Sequence, residues 1–191
     1  MGQSLSVDSG TKRKIAEATH TLVCKKGYAQ ITVEDIAEAV PVSRRTFYNH
    51  FKDKDEVIYY IIYNQFMENT FPVCKIGIGT KGLTAFFDYI EKDREFYLRL
   101  VKHENGHLLK DALIRTYDRA TERVHEYARP VENSEKRINP DIYKTYTHAA
   151  VAAVISYWLQ TNLKMSVEDI ARDTGLMMEH AHSFVRDRYL L

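Results

Sequence analysis

Residues 32–51 read TVEDIAEAVPVSRRTFYNHF, and the spacing of their apolar, capping and basic positions predicts two short helices joined by a tight turn. Thr32 followed by Asp35 is a capping-box pattern, in which the threonine hydroxyl accepts from a free backbone N–H at the head of a helix. Ile36, Ala37 and Val40 then recur at helical spacing. The helix ends near Val40, because Pro41 disfavours helical geometry in the residue before it and supplies no N–H. Ser43 has the chemistry to cap a second helix over Arg44 to His50, with Phe47 and Phe51 four residues apart on its inner face.

That packing leaves Arg44, Arg45, Thr46, Tyr48, Asn49 and His50 on the outside. Arginine can pair with guanine O6 and N7 through two parallel N–H bonds, while Asn, Thr and Tyr bond base edges or phosphate oxygens. Two adjacent arginines alone would indicate no more than a solvated face. A capped helix, a turn, a second capped helix with a basic head, and then Lys52 and Lys54 form a compound pattern that points to a DNA-reading helix-turn-helix.

From Thr11 to Val57 the chain resembles the N-terminal domain of the TetR family of transcriptional regulators. The resemblance runs through Ile15, Ala18, Gly27, Tyr28, Thr32-Val33, Ile36-Ala37, Val42-Ser43, Thr46, Tyr48, His50-Phe51 and Lys54. It implies that residues 43–51 lie in the major groove, and that Tyr48, His50 and Lys54 touch the phosphate backbone; Thr32, Ser43, Arg44, Arg45, Thr46 and Asn49 complete the candidate DNA-binding set. The chain departs from the family pattern at Val40-Pro41, where most members have Ala-Gly, and at Arg45, where a small residue is usual. Proline cannot adopt the positive φ available to glycine, so a turn of different detail is expected.

Composition bounds the rest. A chain of 191 residues with 45% hydrophobic and 28% charged residues suits a soluble, folded protein that buries a substantial core. The net charge is only +1, but residues 1–54 carry nine Lys/Arg against six Asp/Glu, so the basic excess lies with the motif. Cys24 and Cys74 give neither a disulfide framework nor a CxxC pair, which fits a reducing compartment. No apolar run reaches the length of a membrane span, and a cytoplasmic protein without membrane association is expected.

The whole chain reads as helix: an all-α fold with a three-helix DNA-binding domain over residues 1–54, and a helical domain for dimerisation and effector binding over 55–191. Helices are expected over about 9–26, 57–71, 82–91, 93–103, 106–129, 140–163 and 166–189, with Pro72 stopping one of them and linker-like segments at 73–81 and 130–139. Residues 87–101 and the Tyr157-Trp158-Leu159 segment resemble the C-terminal domain of a Firmicutes-type TetR subgroup that includes dihydroxyacetone kinase operon regulators.

The last two helices are apolar on broad faces that also carry small residues, so a four-helix interface between two subunits is expected, with Ala149, Ala153, Tyr157, Met177, Ala181 and Phe184 in it. Among the many aromatics, Tyr63, Phe66, Tyr89, Tyr117 and His148 are candidates for lining an effector pocket, against the plainer reading of core. His103 and His107 have an i, i+4 spacing that can hold a metal, with His148 or His125 as a third ligand, but Asn105-Gly106 breaks the helix between them; no metal ligand and no cofactor are assigned. No nucleophile elbow, phosphate-cradling loop or catalytic constellation supports an enzyme. The expected function is a homodimeric repressor on a palindromic double-stranded DNA operator, released by a small-molecule effector. The alternative is a transcriptional co-activator or sensor module acting through a protein partner.

Overall fold

The structure, a computed structural model, describes residues 10–74, 80–125 and 139–189, and the side chains of 74, 80, 124, 125, 140, 143 and 179–189 are outside the description. Most of the two linker-like segments, His125 as a ligand, and Ala181 and Phe184 as interface residues therefore lie outside the described residues. Ten α-helices and no strand are present among the described residues. They are α1 Gly10–Lys26, α2 Val33–Ala39, α3 Arg44–Tyr48, α4 Lys54–Asn69, α5 Phe71–Cys74, α6 Thr80–Lys92, α7 Arg94–Val101, α8 His107–His125, α9 Pro140–Gln160 and α10 Val167–Tyr189.

The arrangement follows from α4, whose apolar residues occupy every side. Val57, Ile58, Tyr59, Ile61, Ile62, Tyr63 and Phe66 are all buried, because α1 covers one side of the helix and α8 another, with α5 and α6 at its end. Burying each such side chain is worth about 1.5–3 kcal/mol. The α4–α8 seam also carries charge: the Arg115 guanidinium donates to Glu56 at 2.9 and 3.2 Å and lies 3.9 Å from the Tyr59 ring centroid. Arg119 stacks over Tyr63 one turn on.

Helix ends account for the differences from the sequence expectation. α3 stops at Tyr48 rather than His50, with Asn49 as its C-cap. α4 ends at Asn69, before any proline; Pro72 sits instead in the first turn of α5, where a missing N–H leaves no bond unmade. The stretch expected as a helix over 93–103 divides into α7 and a 3₁₀ turn, His103–Gly106. Three successive residues there, Glu104, Asn105 and Gly106, have φ of 45, 54 and 76°, which reverses the chain between α7 and α8.

α9 is two-faced. Val151, Ala152, Ile155, Trp158 and Leu159 point into the core, while Ala149, Ala153 and Tyr157 are exposed. Trp158 is fully buried, donates its indole N–H to the Met165 carbonyl at 2.9 Å, and meets Phe87 edge-on. These contacts hold the turn in which Asn162 and Leu163 adopt left-handed backbone and the Leu163 amide returns to the Trp158 carbonyl at 2.9 Å. α10 then packs chiefly on α6.

Gly106 sits where two elements close in: a Cβ there would stand 2.9 Å from Ser156 Oγ on α9 and 3.1 Å from Val101 Cγ2. Gly106→Ala combines left-handed strain with overpacking and should cost about 2–4 kcal/mol. Urea denaturation of the variant checks this; an unchanged midpoint would show that the α7–α9 contact yields freely.

Candidate nucleic-acid interface

The recognition segment is built from its caps inward. Thr32 closes a full capping box: its hydroxyl accepts from the Asp35 amide at 3.1 Å, and its own amide donates to Asp35 Oδ2 at 2.8 Å. The hydrogen bonds from Thr32, with Lys26 beside it, hold the Asp35 carboxyl well below the usual carboxylate range. Lys26 Nζ lies 2.9 Å from Asp35 Oδ1 and ties the end of α1 to the start of α2. At the head of α3, Ser43 Oγ accepts from the Thr46 amide at 3.0 Å and shares a second hydrogen bond with the Thr46 hydroxyl.

The turn between the helices keeps the course of a glycine turn in spite of its proline. The Val42 amide donates to the Ala37 carbonyl at 3.0 Å, the longer of the two bonds of a Schellman ending. The shorter bond would come from the amide of residue 41, which proline lacks. The expected difference of detail is therefore a missing bond within an otherwise ordinary helix ending.

α3 is held from beneath by Phe47, which is fully buried, and by Phe51. Lys12, from the first turns of α1, lies 4.5 Å from the Tyr60 ring centroid and 5.4 Å from that of Phe51. A favourable aromatic seat thus offsets the cost of a cation near a helix N-terminus.

The outward residues fall into three groups. Arg45 and Asn49 are exposed, and Tyr48 is half exposed; among the described residues Arg45 enters no ion pair. Arg44 is already engaged, its Nη1 2.5 Å from Glu34 Oε1 on α2 and its guanidinium hydrogen-bonded to Tyr48, which together push its pKa above the ordinary value. Thr32, Ser43 and Thr46 use their hydroxyls in the caps, so they position the helices, and His50 is half-buried at the end of α3.

Lys54 is drawn inward: its ammonium donates to the carbonyls of Tyr28 at 3.2 Å and Ile31 at 3.0 Å and lies 4.2 Å from the Tyr28 ring centroid. Burial pushes its pKa down. The family resemblance implies a phosphate contact for Lys54; the structure adds a clamp on the α1–α2 connection, which no local spacing indicates.

The remaining candidates separate. Phe66 and Tyr117 meet edge-on at 5.5 Å, and Tyr117 lies 5.6 Å from His148. His148 Nδ1 is 2.7 Å from Asp118 Oδ1. Tyr63 accepts from Arg123. Tyr89 hydrogen-bonds Gln65 instead, with its pKa raised first by burial and next by Asp93. None of the five lines the cavity of about 670 Å³ found beside the α7–α8 turn, which is bounded by Leu98, Val101, Lys102, Asn105, Leu159, Gln160 and Asn162. His103 packs on Tyr28 while His107 is exposed, and the left-handed residues between them remove the common helix face that a two-histidine site needs.

Pro41→Gly should restore the missing amide bond, against the greater freedom of glycine in the unfolded chain. The two terms nearly cancel, so a stability change within about 1 kcal/mol is expected, read as a Tm close to that of the parent. A Tm lowered well beyond that would show that the proline suits this turn.

Comparison with known proteins agrees with this architecture. Residues 15–61 match the family described as bacterial regulatory proteins, tetR family, and residues 80–180 match a transcriptional regulator C-terminal region. The HTH-type dhaKLM operon transcriptional activator DhaS of Lactococcus lactis is 38% identical over 90 residues, 47% of this chain and 48% of that protein. An HTH-type transcriptional regulator of Staphylococcus aureus strain USA300 is 35% identical over 51 residues, 27% of this chain and 28% of its own. The matches thus span about half or less of these relatives' length. Among solved structures, the dihydroxyacetone kinase operon activator DhaS superposes with a TM-score of 0.55 at 20% identity, covering 90% of this chain and 96% of that one. A TetR regulator from Streptococcus agalactiae 2603V superposes with 0.57 at 22%, covering 88% and 93%; at these identities the likeness is one of fold. With family matches to both parts of the chain and a capped helix-turn-helix at its head, the protein belongs to the TetR family of bacterial regulatory proteins.

Proposed function

We propose that this protein is a sequence-specific DNA-binding transcriptional regulator that acts as a homodimer. The observation that carries the reading is the outward face of α3, where Arg45, Tyr48 and Asn49 project from a helix capped by Ser43 and anchored by Phe47. Arg45 has an uncommitted guanidinium for a base edge, while Arg44 must first exchange Glu34 or Tyr48 for DNA. Tyr48 and His50 serve as phosphate contacts, and Lys54 joins them with the one N–H left over from its two carbonyls.

Dimerisation follows from the unpartnered face of α9. Ile142, Tyr146 and Tyr157 are 65, 63 and 60% exposed, and Met177 of α10 is 68% exposed. With Ala149 and Ala153 between them, these residues form an apolar stripe at helical spacing that a second copy would cover. A two-fold pair places its α3 helices in successive major grooves about 34–36 Å apart, so the operator is an imperfect palindrome.

The division at residue 54 is functional in this reading: the first three helices contact DNA, and residues 55–191 pair the subunits and bind a small-molecule effector. Effector binding shifts the population away from the spacing that fits the operator, and repression is relieved. A second reading, transcriptional activation, is favoured by one observation, the similarity of 47% of the chain to a relative whose name makes it an activator. Deleting the gene and following transcription of its neighbours separates the two, since target transcripts rise if it represses and fall if it activates.

Arg45→Ala should cost about 1–3 kcal/mol on the cognate operator and far less on random DNA in a mobility-shift titration. Equal losses on both would make it a phosphate contact. Ala153→Asp places a carboxylate in the centre of the exposed stripe. Sedimentation should then show monomers, and operator affinity should fall although the DNA-binding residues are intact; a dimer with full affinity would place the interface elsewhere.

A further inference from the structure

Where α1 meets the junction of α6 and α7, three side chains with metal-binding chemistry converge. His20 and Cys24 are four residues apart on α1 and share a helix face, while Asp93 is the single residue between α6 and α7. His20 Nε2 lies 3.0 and 2.9 Å from the two carboxylate oxygens of Asp93, and Cys24 Sγ lies 3.9 Å from His20 Nδ1. One ligand atom from each of the three falls within 4.8 Å of the other two.

The surroundings hold these groups in place. The His20 ring stacks on Phe96 with centroids 4.5 Å apart and planes 20° apart. Gln65 of α4 donates to Asp93 Oδ2 at 2.9 Å, and the Tyr97 hydroxyl donates to Gln65 Oε1 at 2.9 Å. This outer layer is of the kind that orients metal ligands. None of the three residues belongs to the recognition helix or to the exposed stripe on α9.

We propose that His20, Cys24 and Asp93 form a binding site for a divalent transition-metal ion, with Zn²⁺ the best match. A thiolate, an imidazole and a carboxylate suit zinc-like ions, whereas Mg²⁺ and Ca²⁺ call for oxygen donors throughout. Two ligands of a tetrahedral zinc ion, with bonds of about 2.3 Å to sulfur and 2.0 Å to nitrogen, stand roughly 3.5 Å apart. Cys24 faces His20 Nδ1 and Asp93 faces Nε2, so one ion takes all three groups when the imidazole turns to direct a single nitrogen between the thiolate and the carboxylate, within the 4.8 Å that the ligand atoms already span. All three residues are half-buried, which leaves a side open for water as fourth ligand.

On binding, the Cys24 thiol loses its proton to solvent, and the imidazole keeps its single proton on the nitrogen the ion does not take. Burial, then Asp93 and Glu95, push the Cys24 thiol pKa up, so the ion must displace that proton and affinity rises with pH. An ion here bridges the first helix of the DNA-binding domain to the α6–α7 junction. The inference does not depend on the proposed regulatory function.

Titration of the 191-residue chain with Co²⁺ tests it. One ion per chain should produce a thiolate-to-cobalt charge-transfer absorption that Zn²⁺ abolishes by displacement. The absorption should vanish in Cys24→Ser and persist in Cys74→Ser, and Asp93→Asn and His20→Gln should each bind at least about tenfold more weakly. Circular dichroism establishes that each variant is folded; should either of the last two unfold, the two cysteine variants decide the matter. Absence of the band, its survival in Cys24→Ser, or unweakened binding by folded Asp93→Asn and His20→Gln overturns the proposal.

Discussion

The packing of α4 between α1 and α8 is the constraint on which the other helices depend. Its buried residues lie around the whole helix, so it cannot reside on the surface of either part of the chain. It reaches residues of the helix-turn-helix through Phe51 and Tyr60, which meet edge-on at 5.4 Å, and the larger helical region through Phe66, Phe86 and Tyr117.

Polar contacts supply a second connection between the same parts. Arg115 of α8 grips Glu56 at the head of α4, and His20 of α1 pairs with Asp93 beyond the end of α6. These partners are only partly exposed to solvent, so geometry rather than bare attraction is what they contribute. Tyr28 hydrogen-bonds Asp55 and receives Lys54 over its ring, and in this way the connection after α1 is fastened to the start of α4. The recognition helix is too short to persist alone. It is kept by Ser43 at its head, Phe47 beneath it and this scaffold behind it.

Local physics was legible in the sequence because it acts over three or four residues. Thr32 with Asp35, and Ser43 with Thr46, are caps whose partners lie within one turn, and both form as the spacing predicts. The apolar period places Phe47 and Phe51 inward, and the composition of residues 57–71 marks a helix covered on several sides. Pro41 ends α2 as its missing N–H predicts, while the bond from the Val42 amide to the Ala37 carbonyl keeps the chain on the course of a glycine turn. His103 and His107 lose their common face in the way that Asn105-Gly106 indicates, since Glu104, Asn105 and Gly106 all take left-handed backbone between them.

What the sequence by itself determined is the all-helical class, the helix-turn-helix, its caps and its outward polar face, since each of these rests on periodicity and neighbouring residues. Tertiary structure alone decided which of those polar groups are uncommitted. Arg44 and Arg45 are equivalent in sequence, but one is paired with Glu34 from α2 and the other with none of the described residues. Lys54 turns inward because the carbonyls of Tyr28 and Ile31 end a segment that packs over it. Phe66, Tyr117 and His148 form one connected group while Tyr63 and Tyr89 find partners elsewhere, and Asp93 reaches His20 across 73 positions. Contacts of that separation arise from the folded path of the backbone, and no periodicity in the chain encodes them.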